Sequence, residues 1–136
     1  MPQRLLTRVA LMALSAIAVS AIPQAAEASD PSGIWTGEWV SSSSGHQGPI
    51  KAHIRQVDAC TYRACFCGRF LHVVPFAYSV PMHVSGRTAT GATLLTAQSW
   101  LPGFGNFTCR AAVSPCHFNA CYTSPKDSGR FTMTRS

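Results

Sequence analysis

Six cysteines, five histidines and five carboxylates hold most of the chemistry open to this chain. The cysteines are Cys60, Cys65, Cys67, Cys109, Cys116 and Cys121, too many to pair by count alone. Cys65-x-Cys67 puts two thiols on one face of a strand, with His53 of the preceding strand opposite Cys65. Two thiolates and an imidazole are a partial site for a soft or borderline metal. A fourth ligand is missing, so surface thiols or a strained Cys-x-Cys bridge is the favoured reading and no metal centre is expected. His46 and His72 fall in loops, whereas His53, His83 and His117 fall on strands, with no His-Glu-x-x-His run.

The carboxylates are equally dispersed. Asp30 is near the start of the domain, Glu38 points outward by parity, and Asp58 and Asp127 sit in turns at opposite ends. No two have the spacing of a two-carboxylate hydrolase. Ser43-x-Gly45 lies in a serine-rich loop without the strand-to-helix context of a nucleophile elbow. No catalytic residue and no cofactor are assigned, and a non-enzymatic protein is expected.

The elements that carry these residues begin after Ala28. Met1 to Ala28 has the parts of a secretory signal: Arg4 and Arg8, an apolar run from Val9 to Ile22, and Ala26-Glu27-Ala28 as a cleavage site. The run is shorter than the ~20 residues of a spanning helix, and Pro23 ends it, so the processed chain is not expected to span a membrane. No cysteine closely follows the cleavage site, which argues against a lipid anchor. Residues 29–136 then form one domain, secreted or periplasmic, where disulfides are permissible.

Without Arg4, Arg8 and Glu27 the domain keeps nine basic and four acidic side chains, a formal charge of +5. Outward Lys51, Arg55, Arg63 and Arg69 make a basic stripe over two strands. Base stacking would need aromatics on that same face, and they point inward, so nucleic acid is not an expected partner.

Short alternating runs predict strands at Gly33–Val40, Pro49–Val57, Thr61–Leu71, Phe76–Ser85, Ala92–Leu101, Asn106–Val113, Cys116–Thr123 and Gly129–Arg135. The breaks fit hairpins and leave no room for helical crossovers. Parity sends Trp35, Trp39, Ile50, Ala52, Ile54, Tyr62, Ala64, Phe66, Phe70, Tyr78, Val80, Met82, Phe107, Cys109, Phe118, Tyr122, Phe131 and Met133 inward. The fifth strand is ambiguous, because Leu94, Leu95, Trp100 and Leu101 put apolar groups on both faces. Closing the sheet hides its aromatic face and both edges, so the expected fold is an eight-stranded antiparallel up-and-down barrel. A two-sheet sandwich is the alternative.

In such a meander alternate turns share an end. Cys60 and Cys116 fall in or beside turns at the end where Trp35 starts, which makes them the preferred disulfide. The opposite end is the mouth, ringed by Ser41–Gly48, His72–Pro75, Pro102–Gly105 and Ser124–Ser128. Trp39, Phe70, Tyr78 and Phe107 would line a pocket there, with Tyr78 supplying a polar tip. An eight-stranded barrel either holds one small ligand or fills itself. A cavity of roughly a few hundred Å³ would mark a binder of a small apolar ligand. A solid core would mark a protein-interaction module, either an inhibitor or an envelope component.

The Gly33-x-Trp35 entry and the basic end of the last strand resemble lipocalins and the wider calycin group. That resemblance implies that Trp35 plugs the closed end and that Arg135 packs across its indole. In size the chain is nearer to avidin-like barrels and small periplasmic metalloprotease inhibitors. Gly45-His46-x-Gly48-Pro49, Phe66-x-Gly68-Arg69-Phe70, Pro75-Phe76-x-Tyr78, Gly103-Phe104-Gly105-x-Phe107 and Phe118-x-Ala120-x-Tyr122 together resemble small exported bacterial proteins of unassigned function.

Overall fold

The backbone pleat sends successive side chains to opposite faces, and here it separates an aromatic interior from a charged exterior. The computed structural model describes residues 28–70 and 73–136. The predicted signal segment therefore lies outside the described residues except for Ala28, as does His72 of the predicted mouth. Eight strands follow in order: β1 (Gly33–Ser41), β2 (Gln47–Asp58), β3 (Thr61–Phe70), β4 (Val74–Arg87), β5 (Thr93–Leu101), β6 (Gly105–Val113), β7 (His117–Thr123) and β8 (Ser128–Arg135). Each pairs antiparallel with its sequence neighbour, and β1 pairs with β8 from Trp35↔Arg135 to Ser41↔Gly129. The fold is a closed barrel rather than a sandwich.

Closure demands tight coiling, and Gly37 and Gly129 permit it. A Cβ on Gly37 would run into the Thr132 carbonyl of β8, and one on Gly129 into the Val40 carbonyl of β1. Both lie on the β1–β8 seam, where the first and last strands must approach most closely.

Most of the inward set forms one cluster of buried residues from Trp35 to Met133; Tyr78 and Phe107 pack against it half-buried, and Phe70, expected inward, is exposed at the open end. Lys51, His53, Arg55, Arg69 and Arg110 are exposed on the outer face. A lipid-facing barrel would instead carry an apolar band there. On the fifth strand Thr93, Leu95, Ala97 and Leu101 are buried, while Trp100 is 68% exposed.

β4 departs most from its predicted bounds. It starts at Val74, includes Pro75, and runs to Arg87 across a bulge between Val84 and Gly86. Its ladder with β5 covers only His83↔Thr96 to Arg87↔Thr93, so Val74–Met82 pairs with β3 alone. Pro75 and Pro81 have no N–H to offer and sit in that one-sided stretch, as prolines in sheets do. The Tyr78 hydroxyl bridges the unladdered seam by donating to the Pro102 carbonyl at 2.8 Å.

The end opposite the mouth is sealed. Trp35 is fully buried and its Nε1–H donates to the Pro31 carbonyl at 2.9 Å. The Arg135 guanidinium carbon lies 4.3 Å from the Trp35 ring centroid. Its nitrogens donate to the Ser32, Asp30 and Pro115 carbonyls at 2.6, 2.7 and 3.0 Å. The segment before β1 crosses this end: Ser29 donates its N–H to Gly91 at 3.0 Å, and Thr93 Oγ1 donates to the Ser29 carbonyl at 2.6 Å. Ser29–Ser32 is thus tied down at this end.

The expected Cys60–Cys116 disulfide is not formed, and all six cysteines carry free thiols. The two turns share an end but not a side. Cys60 follows β2 and Cys116 follows β6, so four strands separate them in either direction around the ring. They face each other across the sealed end.

Candidate functional site

Eight strands tilted around an axis leave an interior that side chains can nearly fill, and here the filling stops short of the mouth. The wall of the remaining cavity is Trp39 from β1, Ile50 from β2, Phe66 and Phe70 from β3, and Phe76, Tyr78 and Val80 from β4. Leu101, Phe104, Phe107, Tyr122, Phe131 and the turn residue Asp127 complete it. The enclosed volume is about 70 Å³, within about 600 Å³ of atom-free space that includes the open mouth. The enclosed part is well below a few hundred Å³; it fits a small group, and anything larger must displace the aromatics at the rim.

Those aromatics interlock. Trp39 and Phe70 stack with centroids 5.8 Å apart and planes 12° apart, and His46 meets the Phe70 edge at 5.3 Å. Phe107, Tyr122 and Phe131 stack in succession, each pair 5.8 Å apart. Tyr78 meets Phe104 edge-on at 5.5 Å. Phe70 remains 37% exposed, which places it at the rim rather than in the floor.

The structure therefore brings Trp39, Phe70, Tyr78 and Phe107 around one cavity. The polar tip proposed for Tyr78 is already engaged with the Pro102 carbonyl. Burial raises its phenol above the ordinary tyrosine value. Trp39 Nε1–H is likewise engaged, donating to the Arg69 carbonyl at 3.3 Å.

Sequence reasoning places Asp127 in a turn at the mouth but not in the lining, of which it is the one charged residue. The β7–β8 turn presents it: Asp127 N–H donates to Ser124 Oγ at 3.0 Å, and that hydroxyl donates to the Asp127 carbonyl at 2.7 Å. Its side chain accepts from Ser41 Oγ at 2.5 Å and from the Tyr122 hydroxyl at 3.0 Å. Burial, then the hydrogen bond to Asp127 and its charge, push the Tyr122 phenol well above its ordinary value. The serine-rich first loop and Ser124-x-x-Asp127 were the available signals, but their meeting depends on the β1–β8 closure.

The outward thiols sit as parity predicted. His53 pairs with Cys65 and Lys51 with Cys67 across β2 and β3. Among the described residues no group of three or more His, Cys, Asp or Glu side chains is placed to hold a metal. Cys109 is the one buried cysteine; burial, and secondarily Cys121, push its thiol up to about 12.

Fold and cavity together define a closed eight-stranded β-barrel with an apolar recess at one end. The chain is similar to the redesigned β-barrel mFAP1 bound to DFHBI, with a TM-score of 0.58 and 14% identity, covering 77% of this chain and 94% of that one. It is similar also to mFAP0 bound to DFHBI, with a TM-score of 0.56 and 13% identity, covering 77% and 97%. At those identities the likeness shows the fold alone. No family model and no curated protein matches the chain.

Proposed function

We propose that this protein is an exported, non-enzymatic barrel that binds one small, largely apolar ligand through its mouth. The cavity volume falls short of the few hundred Å³ expected of a binder, and the observation that carries the reading is instead the lining: nine of the thirteen residues around the cavity are aromatic and three more are aliphatic. Apolar pockets with few polar groups are the usual form of a small-molecule site. The redesigned barrels of similar fold were solved with a small molecule bound, which supports the reading by analogy only. The Trp35–Arg135 packing supports the calycin comparison, in which one end is plugged and the other admits ligand.

Export rests on the tripartite start of the sequence, and cleavage after Ala28 is part of the proposal. Peptide mapping of the protein recovered from culture supernatant and periplasm checks it, with Ser29 expected at the mature N-terminus.

Titration with N-phenyl-1-naphthylamine, a neutral apolar fluorophore, tests the ligand reading. Saturable enhancement with a matching change in tryptophan emission is expected, and Trp39→Phe should remove most of the tryptophan change. No response would favour an interaction role. A shallow depression of about 700 Å³ across β1–β4, bordered by Lys51, Cys67 and Arg69, would then be the surface to study.

A further inference from the structure

The cavity has a carboxylate with no counter-ion among the described residues. Asp127 lines it, and its oxygens accept from two hydroxyls, Ser41 and Tyr122, and from no basic side chain among the described residues. Its chain neighbours Lys126 and Arg130 are exposed. A carboxylate has about four lone-pair sites, so two accepted hydroxyls leave acceptor capacity unspent. The other polar atoms of the lining are already committed. Trp39 donates to Arg69, Tyr78 to Pro102, and Tyr122 to Asp127 itself. Among the described residues of the lining, the polar group with acceptor capacity left is therefore the Asp127 carboxylate.

The rest of the wall favours a positive ligand as well. Aromatic rings are electron-rich on their faces, and a cation within about 6 Å of a ring centroid is attracted, more strongly where water is excluded. Nine aromatic residues surround this recess. A neutral hydrocarbon there would cover the carboxylate without compensating it, which is unfavourable. An anion would meet repulsion from Asp127. An ammonium whose charge is spread over alkyl groups satisfies both halves of the site, because its apolar surface suits the rings and its charge suits the acid.

We infer that the ligand of this cavity is a small alkylated ammonium, with Asp127 as its counter-ion and the aromatic wall as its cage. This rests on the ligand-binding reading above and goes beyond it in naming the charge. The recess fits the cationic head group, while any longer substituent leaves past Phe70 and Phe104 at the rim.

The test uses two probes of one shape, benzyltrimethylammonium and its neutral carbon isostere neopentylbenzene. Each competes against N-phenyl-1-naphthylamine on the mature protein. The cation is expected to displace the fluorophore at a concentration at least about tenfold lower than the isostere. Asp127→Asn, with its fold checked by circular dichroism, should bring that ratio close to one. Equal or better displacement by the isostere in the unaltered protein overturns the inference while leaving the ligand reading intact. A preference for the cation that survives Asp127→Asn also overturns it. Failure of the fluorophore itself to bind sinks both readings together. If Asp127→Asn does not fold, the unaltered protein still decides whether a cation is preferred, and the same ratio read on Asp127→Ser decides whether Asp127 is the counter-ion; a ratio unchanged there overturns the inference.

Discussion

The two ends of this barrel are built from the same parts, one charged side chain set against aromatic rings, and are finished differently. At the sealed end Arg135 lies over Trp35 and spends its donors on three backbone carbonyls. The segment from Ser29 to Ser32 closes over it, and Trp35 is fully buried. At the mouth Asp127 has two hydroxyl partners, faces a recess, and is surrounded by rings of which Phe70 is 37% exposed. A completed polar network fixes a structure; an incomplete one beside a cavity is what a ligand can complete. Truncations should therefore affect stability at the sealed end and occupancy at the mouth.

The largest effect is expected from Trp35→Ala. Truncating a buried tryptophan removes its transfer energy and leaves a cavity, about 3–5 kcal/mol. That is a large share of the stability of a domain this size. Chemical denaturation should show the midpoint collapsing or the folded baseline vanishing. A loss under about 1 kcal/mol would mean that the sealed end does not hold the fold.

Alkaline pH gives the next largest effect, and it acts on the wall between the ends. Cys109 is raised from 9.0 to about 12 in the folded protein by burial. The unfolded chain releases that proton first, so stability is intact below about pH 9 and falls at about 1.4 kcal/mol per pH unit above it. By pH 11 the loss is about 2–3 kcal/mol, and Tyr122, raised from 10.0, adds to it in the same direction. Cys109→Ala should show a shallower decline between pH 9 and 11. Identical slopes would mean that the thiol is hydrated.

Both ends are partly legible in the sequence, and what is not legible has one cause. Strand parity depends on neighbours two residues apart, so Trp35, Trp39, Phe66 and Tyr122 were placed inward correctly. β5 resisted because Leu94, Leu95, Trp100 and Leu101 make both faces apolar; only pairing with β4 and β6 sends Leu95 in and Trp100 out. The Cys60–Cys116 expectation treated a shared end as adjacency, whereas closure puts them half a ring apart. The sequence shows Asp127 as a turn residue but not its place in the lining, because its hydrogen bond to Ser41 spans 86 positions. Local pattern carries faces; the order of strands around the ring carries sites.

Arg135→Ala should cost about 1–2 kcal/mol. Three charge-assisted hydrogen bonds and a cation–π contact are lost, but the group is solvent-exposed and screened. The expected signature is a lower denaturation midpoint with faster hydrogen exchange at Trp35 Nε1–H, measured by NMR. If the indole exchanges no faster, Pro31 alone protects it and the arginine is incidental to the seal.

The sharpest test of the comparison is Phe70→Ala at the mouth. Phe70 ends β3, stacks on Trp39, meets the His46 ring and is more than one-third exposed, so its removal forfeits two ring contacts and part of a burial that Trp35 has in full. A ring contact is worth about 0.5–1.5 kcal/mol beyond the area it buries, and the total loss should stay below that of Trp35→Ala. Occupancy should respond more than stability. Without the ring over it, Trp39 meets water and its emission shifts to the red even in the free protein. The fluorophore should then enter faster in stopped-flow mixing, because the rim no longer has to move. Trp35, at the other end, should keep its protected indole proton. A destabilisation by Phe70→Ala as large as that of Trp35→Ala would make the mouth as structural as the seal, and the distinction between a finished and an unfinished end would fail.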